Sequence, residues 1–126
     1  MIVGSGIDLV EIARIARALE RRGARILERV YTERERADCE RLGRSAPQFA
    51  LRFAVKEAGM KAIGTGWRRG VGWRDFELLD LARGCELRLT GRALEVAEGR
   101  GFDRAWVATS LTRSHALAHV VLERIR

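Results

Sequence analysis

The residues best suited to chemistry lie in one short stretch, Arg52–Gly66, which contains the chain's two lysines, Lys56 and Lys61. Every other basic side chain is arginine, a fixed planar fork, whereas lysine is a compact point charge whose pKa responds to its surroundings. Codon usage in a GC-rich genome would also produce this bias. Because Glu57 precedes Lys61 by four residues and a Gly-Thr-Gly turn follows at 64–66, the stretch is a candidate for phosphate and metal chemistry.

A second carboxylate in an unexpected setting is Asp8, in the apolar run that opens the chain. Buried carboxylates are rare unless they are paired or bind a metal, although Asp8 could equally cap the following helix. Asp8 and Glu57 together suit Mg²⁺, which prefers oxygen ligands and keeps several waters. Lys61 could meet a phosphate bound to that metal, or form an ordinary i,i+4 pair with Glu57. The turn at 64–66 offers backbone N–H groups to a phosphate.

Length and composition limit the class of protein. The 126 residues, 47% of them hydrophobic, allow one domain over residues 1–126 with one core. Cys39 and Cys85 match no disulfide or metal pattern, which favours a reducing cytoplasm. No apolar run approaches the ~20 residues of a membrane span, and the N-terminus lacks a signal-peptide pattern. The net charge of +7 favours an anionic partner, which could be nucleic acid, a phosphorylated small molecule or an acidic protein.

The first half of the chain reads as one strand followed by helices. Apolar periodicity, capping boxes at Thr32/Glu35 and Ser45/Gln48, and a C-cap at Gly23 set the boundaries. The predicted elements are a strand at 2–9 and helices at 10–22, 33–42 and 47–63. On the last of these, Ala50 and Ala54 line up with Glu57 and Lys61, which would let another backbone approach closely.

One face of the first predicted helix is basic, opposite an apolar stripe. Arg14, Arg17 and Arg21 recur on it at helical spacing, and Arg25 extends the charge. A solvated surface is the common interpretation of such a face. A docking surface for an acidic helix is the alternative, and it requires a partner.

The second half alternates apolar and polar residues as half-buried strands do. Strands are predicted at 73–81, 85–89, 105–111 and 116–125, with a helix at 92–98. The order of elements predicts an α+β domain in which a long central helix packs on a mostly antiparallel sheet.

Two segments resemble the signatures of the holo-acyl-carrier-protein synthases, the small bacterial branch of the 4′-phosphopantetheinyl transferases. The first is Gly6–Ile12 followed by Arg14, and the second is Arg52–Ala58 followed by Lys61–Gly66. Further similarity lies in Trp73–Leu78, Leu87–Ala93 and Thr109–Thr112, so that the resemblance covers essentially the whole chain.

The resemblance implies a Mg²⁺-dependent transfer of 4′-phosphopantetheine from coenzyme A to a serine of an apo acyl carrier protein, releasing adenosine 3′,5′-bisphosphate. It implies the transferase fold, a cytoplasmic homotrimer with coenzyme A between subunits, and fatty-acid synthesis as the default pathway, although a polyketide pathway stays open. Neither nucleic acid nor membrane is an implied partner.

The resemblance also assigns roles to residues. Asp8 and Glu57 are the implied metal ligands and, with Lys61, the implied catalytic residues. The serine proton would pass to a metal-bound water or to a nearby carboxylate, for which Glu57 is the candidate. The implied coenzyme A ligands are Arg52, Lys61, Gly64, Thr65, Gly66, Thr112 and Arg113. The implied carrier-docking residues are Arg14, Arg17, Arg21 and Arg25.

Two segments depart from the family pattern. Ser110–Arg113 ends in arginine where the family has histidine, so either Arg113 holds a phosphate or the chain is a weakened homologue that binds without efficient transfer. His115 is an alternative replacement for that histidine. Gly84–Glu86 replaces a Gly-Lys-Pro turn, which predicts an altered loop rather than altered chemistry. A basic nucleic-acid-binding domain is a third hypothesis, but no motif of that class is evident.

Overall fold

The structure, a computed structural model, describes residues 1–43, 45–66 and 70–125, and it confirms the predicted α+β class. The elements are β1 (Ile2–Glu11), α1 (Ile12–Val30), α2 (Glu33–Arg41), α3 (Ser45–Ile63), a 3₁₀ turn (Trp73–Asp75), β2 (Phe76–Leu81), β3 (Gly84–Leu89), α4 (Gly91–Gly99), β4 (Arg104–Leu111) and β5 (His115–Glu123).

Two antiparallel sheets flank the long helix α3. One has the strand order β1-β5-β4, and the other is the β2–β3 hairpin. In the first sheet Asp8 lies opposite Ala118 and Glu11 lies opposite His115. Alternate residues of β5 from Ala116 to Leu122 are buried against α3, which fixes the register of the sheet.

β1 lies directly on α3 because two of its residues have no side chain. A Cβ built on Gly6 would fall well inside van der Waals distance of the Ala58 carbonyl and 2.9 Å from Ala62 N. A Cβ on Gly4 would likewise overlap the Ala62 carbonyl. Another backbone therefore approaches α3 closely beside Glu57, as predicted, but at Ala58 and Ala62 rather than at Ala50 and Ala54.

The sequence predicts that the first helix ends at Arg22 with Gly23 as its cap, and the backbone does leave helical geometry at Arg22 (φ −140°, ψ 36°). A second helical segment follows this kink directly, so that α1 continues to Val30. The second half of α1 is helical because Ile26 and Val30 extend its apolar face into the core. Gly23 lies within the helix and does not cap it.

Other boundaries differ from the predictions by a few residues. The capping box at Thr32 and Glu35 is present, each backbone N–H bonding the other side chain at 3.1 Å. The capping box predicted at Ser45 is wrong, because Ser45 is already helical. The strand predicted from Trp73 begins at Phe76, after the 3₁₀ turn. Within the described ranges, no helix is long and apolar enough to cross a membrane.

Candidate active site

The first pair of predicted site residues meets across the β1–α3 contact. The Lys61 ammonium donates to Asp8 Oδ1 and to the Ile7 carbonyl, both at 3.0 Å. Lys61 therefore pairs with a carboxylate 53 residues away in sequence, rather than with Glu57 one turn earlier. Asp8 does not cap α1, whose N-cap is Glu11 and lacks a side-chain cap.

Glu57 lies in the same group of charges. Partial burial raises the pKa of Glu57, and the neighbouring Asp8 carboxylate raises it further, while Lys61 and Arg14 act in the opposite direction. The structure thus brings together Asp8 of β1, Glu57 and Lys61 of α3, and Arg14 of α1. The like charge of Asp8 is a cost that a bound cation would relieve.

The chemistry of this group fits Mg²⁺. Two adjacent carboxylates provide hard oxygen ligands, and Lys61, whose side chain is 54% exposed, leaves the group open to water and phosphate oxygens. In the part of the chain that the structure describes, no three His, Cys, Asp or Glu side chains come together. A fully protein-ligated metal centre is thus not built here, whereas Mg²⁺ keeps several waters.

The turn at 64–66 closes the C-terminal end of α3. Gly64 and Gly66 have φ values of 78° and 58°, which favour glycine, and Gly64 N donates to Met60 O at 3.0 Å. The Thr65 hydroxyl donates to the Gly66 carbonyl at 2.8 Å, so it is already engaged. A Cβ built on Gly64 would lie 3.0 Å from Nη2 of Arg100, an exposed cation at the end of α4. Local sequence patterns gave no signal for Arg100, since it reaches the turn from a separate helix.

Arg52 is not part of this group. Its side chain is fully buried, and it donates to Asp80 Oδ2 at 2.6 Å and to Gln48 Oε1 at 2.8 Å. It precedes Lys61 by nine residues, which is about 13 Å along the helix axis. Its role as a ligand of coenzyme A stays a prediction.

The basic face of α1 lies beside two hollows, called outer and inner here, that share Arg14, Ala18 and Ile26 in their lining. The outer one, about 360 Å³, is lined mainly by arginines, and the inner one, about 230 Å³, is mostly apolar. Arg14 lines both and also acts on Glu57, so it connects the basic face to the carboxylates. The outer lining is Arg14, Arg17, Ala18, Arg21, Arg22 and Ile26. The inner lining is Arg14, Ile15, Ala18, Ile26, Val30, Tyr31, Phe53 and Trp73.

Thr112 and Arg113 lie in the β4–β5 turn, which contacts the start of α1 through the bond from Ile12 N to Ser114 O at 2.9 Å. Thr112 Oγ1 accepts from His115 N at 2.9 Å, and the His115 ring bonds the Ser114 hydroxyl at 2.8 Å. His115, which ends the turn, is paired with Glu11 on β1. Glu11 lies three residues, or about 10 Å along the strand, beyond Asp8. The turn therefore does not join the carboxylates of its own chain.

The chain matches the 4′-phosphopantetheinyl transferase superfamily over residues 4–120. It is 48% identical over 124 residues to the holo-[acyl-carrier-protein] synthase of Solibacter usitatus, covering 98% of this chain and 99% of the relative. The corresponding protein of Koribacter versatilis is 47% identical over 124 residues, with the same coverage.

Solved structures of this type have the same fold. The holo-[acyl-carrier-protein] synthase of Neisseria meningitidis superimposes with a TM-score of 0.88 at 35% identity, covering 98% of this chain and 100% of that one. The Bacillus anthracis enzyme, solved in complex with CoA (3′,5′-ADP), gives 0.80 at 35% identity and 98% coverage of both chains. The Helicobacter pylori enzyme, solved with coenzyme A, gives 0.83 at 26% identity, covering 94% of this chain and 99% of that one.

Proposed function

Because the chain belongs to the 4′-phosphopantetheinyl transferase superfamily, as predicted, and is an enzyme of that type, we propose that it is a holo-acyl-carrier-protein synthase. It transfers 4′-phosphopantetheine from coenzyme A to a serine hydroxyl of an apo acyl carrier protein and releases adenosine 3′,5′-bisphosphate. The observation that carries this proposal is the meeting of Asp8, Glu57 and Lys61 across the β1–α3 contact.

The proposed chemistry divides among these three side chains. Asp8 and Glu57 would hold Mg²⁺, which supplies positive charge to the pyrophosphate as the bond to the leaving group breaks. Lys61 carries a second positive charge at the same place and stabilises the released bisphosphate. Glu57 is the candidate acceptor of the serine proton, because its carboxylate lies in the group of charges where the transfer would occur.

The coenzyme would extend from this group along the turn at 64–66. The exposed backbone of the turn and the Arg100 guanidinium beside Gly64 favour an anionic ligand there. Arg52 is fully buried and paired with Asp80, so it would support the coenzyme site through the position of α3 rather than by touching the coenzyme. Thr112 and Arg113 would serve a coenzyme bound at a neighbouring subunit, since their turn lies away from their own carboxylates.

The carrier protein would dock on the basic face of α1. Carrier proteins of this kind present an acidic helix, and the four predicted docking arginines are all exposed on α1: Arg14, Arg17, Arg21 and Arg25. Arg14 lies between this face and Glu57, so a docked carrier could present its serine to the carboxylates.

The homotrimer remains part of the proposal. Its support is the outer face of the β1-β5-β4 sheet, where Ile7, Leu9 and Trp106 are each more than half exposed. Large exposed apolar side chains grouped on one sheet face are typical of an interface. Sedimentation of the purified chain tests this directly, with Leu9→Glu as the variant expected to shift it toward monomer.

Fatty-acid synthesis in the cytoplasm is the proposed setting. Both cysteines are free thiols, in keeping with a reducing compartment. The similarity to synthases over 98% of the chain does not favour the weakened homologue that the arginine at 113 raised as an alternative.

The test is intact-protein mass spectrometry of apo acyl carrier proteins incubated with this protein, coenzyme A and Mg²⁺. The proposal expects a mass gain of one phosphopantetheine that disappears when EDTA removes the metal. No gain on carriers of fatty-acid and polyketide type would overturn it. A gain on one type alone identifies the pathway.

A further inference from the structure

Lys56, the other lysine of the chain, has no role in the proposed reaction. Its side chain is fully buried on α3, and its ammonium donates to Glu35 Oε1 at 2.6 Å, to the Trp73 carbonyl at 3.2 Å and to the Phe76 carbonyl. Burial lowers the pKa of Lys56, and the Glu35 carboxylate opposes this effect. Placing a cation in the core is costly, and a buried ion pair is often no more stabilising than apolar residues of the same volume. Stability alone is therefore a weak explanation for Lys56.

The other half of the pair is equally engaged. Glu35 is fully buried, and its Oε1 also accepts the Thr32 N–H, while its Oε2 accepts the Leu78 N–H at 3.1 Å. The ion pair thus joins α2, α3, the 3₁₀ turn and β2 at one point. Segments far apart in sequence are held in one arrangement by directional bonds, which apolar packing alone specifies less sharply.

This point lies behind the inner hollow beside Arg14. The Trp73 carbonyl accepts a hydrogen bond from the Lys56 ammonium. The ring of Trp73 stacks on the ring of Phe53, with the two centroids 5.1 Å apart. The Lys56 ammonium also lies 5.7 Å from the centroid of the Tyr31 ring. These three aromatic residues, called the wall below, line the hollow together with Arg14. Lys56 therefore fixes the wall from behind without reaching the hollow itself.

We propose that Lys56 is a positioning residue for the carrier-protein substrate, holding the Tyr31–Phe53–Trp73 wall at the distance from Arg14 that the docked carrier needs. This inference rests on the proposed function. Without Lys56 the Trp73 carbonyl loses the hydrogen bond from the ammonium, and we expect the position of the wall relative to Arg14 to change. Small misplacements of this kind reduce productive binding strongly.

The test compares the two substrates of the same enzyme. Lys56→Met keeps most of the apolar stem and removes the ammonium. We expect the KM for the apo carrier to rise about tenfold, with the KM for coenzyme A unchanged within about twofold, because the coenzyme group around Lys61 lies on another side of α3. The free energy of unfolding is measured in parallel by urea denaturation.

The matched control is Val55→Ala, which truncates a fully buried neighbour on α3 that lines neither hollow. It loses stability by creating a cavity but should leave both KM values unchanged. Should Lys56→Met fail to fold because Glu35 is left unpaired, the double variant Lys56→Met/Glu35→Gln removes both charges and keeps an acceptor for the Thr32 N–H. It should produce the same selective rise.

A rise in the carrier KM in Lys56→Met or in the double variant, absent from Val55→Ala, supports the proposal. Unchanged KM values in that variant, or a parallel rise for both substrates, would overturn it and leave the ion pair with a purely structural role. A wild-type chain without transfer to any carrier fails earlier, at the proposed function. The two failures are therefore distinguishable.

Discussion

The two lysines of α3 have opposite environments although they lie five residues apart. Lys56 is fully buried with Glu35, whereas Lys61 is half exposed and contacts Asp8 on the neighbouring strand. Five helical residues place two side chains about 140° apart around the axis, so one points into the core and the other toward the open edge. Because the sequence has no other lysine, each side of α3 carries one of the chain's two lysines.

The difference shows where charge is available for chemistry. On the buried side each cation is matched by a carboxylate of the same chain, as in Lys56–Glu35 and Arg52–Asp80. On the open side two carboxylates lie together, and the pKa of Glu57 is raised by burial and by its like-charged neighbour. The paired charges of the buried side have a structural role. The neighbouring carboxylates of Asp8 and Glu57 repel each other, and a metal ion could relieve that repulsion.

The largest expected effect comes from a substitution on the open side of α3, which carries Glu57 and Lys61 and faces Asp8. Glu57→Gln keeps the size of the side chain and removes the charge that would hold Mg²⁺. We expect Mg²⁺-dependent transfer to fall by at least about 100-fold, with little change in stability because Glu57 is partly exposed. Mass spectrometry of the carrier measures the transfer.

Glu98→Gln, an exposed residue of α4, is the control for the same chemical change and should remain fully active. Full activity in Glu57→Gln would remove Glu57 from the proposed metal site. The contrast between the two sides of α3 would then lack a chemical consequence.

The sequence predicted the open side better than the buried one, for a physical reason. Glu57, Lys61 and the turn at 64–66 are local in sequence, and Asp8 stood out as a charge in an apolar run. By contrast, the burial of Lys56 depends on Glu35, 21 residues earlier, and on backbone carbonyls of a distant turn. Helical spacing on α3 reveals which residues share a side but not which partner neutralises them.

The same limit explains the other differences. The cap predicted at Gly23 assumed that a glycine ends a helix, but the apolar face of Ile26 and Val30 outweighs that local preference. Arg100 was missed because it reaches the turn at 64–66 from α4. Local patterns found the elements and the signature residues, whereas tertiary packing decided the kink and the buried ion pairs.

The second effect concerns the contact that brings Asp8 to the open side. Gly6→Ala places a methyl group against the backbone of α3 at Ala58, where no flexible side chain can yield. We expect a loss of about 1–3 kcal/mol in the free energy of unfolding, together with reduced transfer as β1 moves away. Urea denaturation measures the first quantity.

Gly23→Ala is the matched control, because a Cβ there meets nothing within 4 Å and the residue is helical. It should be neutral or stabilising by up to about 1 kcal/mol. Equal free energies of unfolding for Gly6→Ala and Gly23→Ala would mean that β1 can move away from α3 at no cost. The contact at Gly6 would then not fix the position of Asp8 beside Glu57 and Lys61.

A smaller effect is expected from removing one docking arginine, which should weaken use of the carrier protein without affecting coenzyme A. Arg17→Ala removes one exposed docking cation outside the coenzyme group. We expect kcat/KM for the carrier to fall a few-fold at low salt and the deficit to shrink as NaCl is raised, since exposed charges are screened. Arg83→Ala, exposed on the β2–β3 turn, has the same change in net charge and should show no deficit. A salt-independent loss in Arg17→Ala would contradict electrostatic docking.

The smallest effect leaves activity unchanged and reports on the buried side. Cys39 is fully buried near Arg52, and burial raises the pKa of its thiol to about 12. In Cys85→Ser, we therefore expect Cys39 to react with a thiol reagent at pH 8 only as fast as the fold opens.

The raised pKa of Cys39 also makes the free energy of unfolding depend on pH. Its contribution is complete below the unfolded pKa near 9.0 and is lost as the pH rises toward 12, because the unfolded chain releases the thiol proton first. The loss should be about 1.4 kcal/mol at pH 10 relative to Cys39→Ala, in which no thiol titrates. Rapid labelling of Cys39 in the folded protein would mean that the buried side opens on its own, and that the two sides of α3 differ less than their charges indicate.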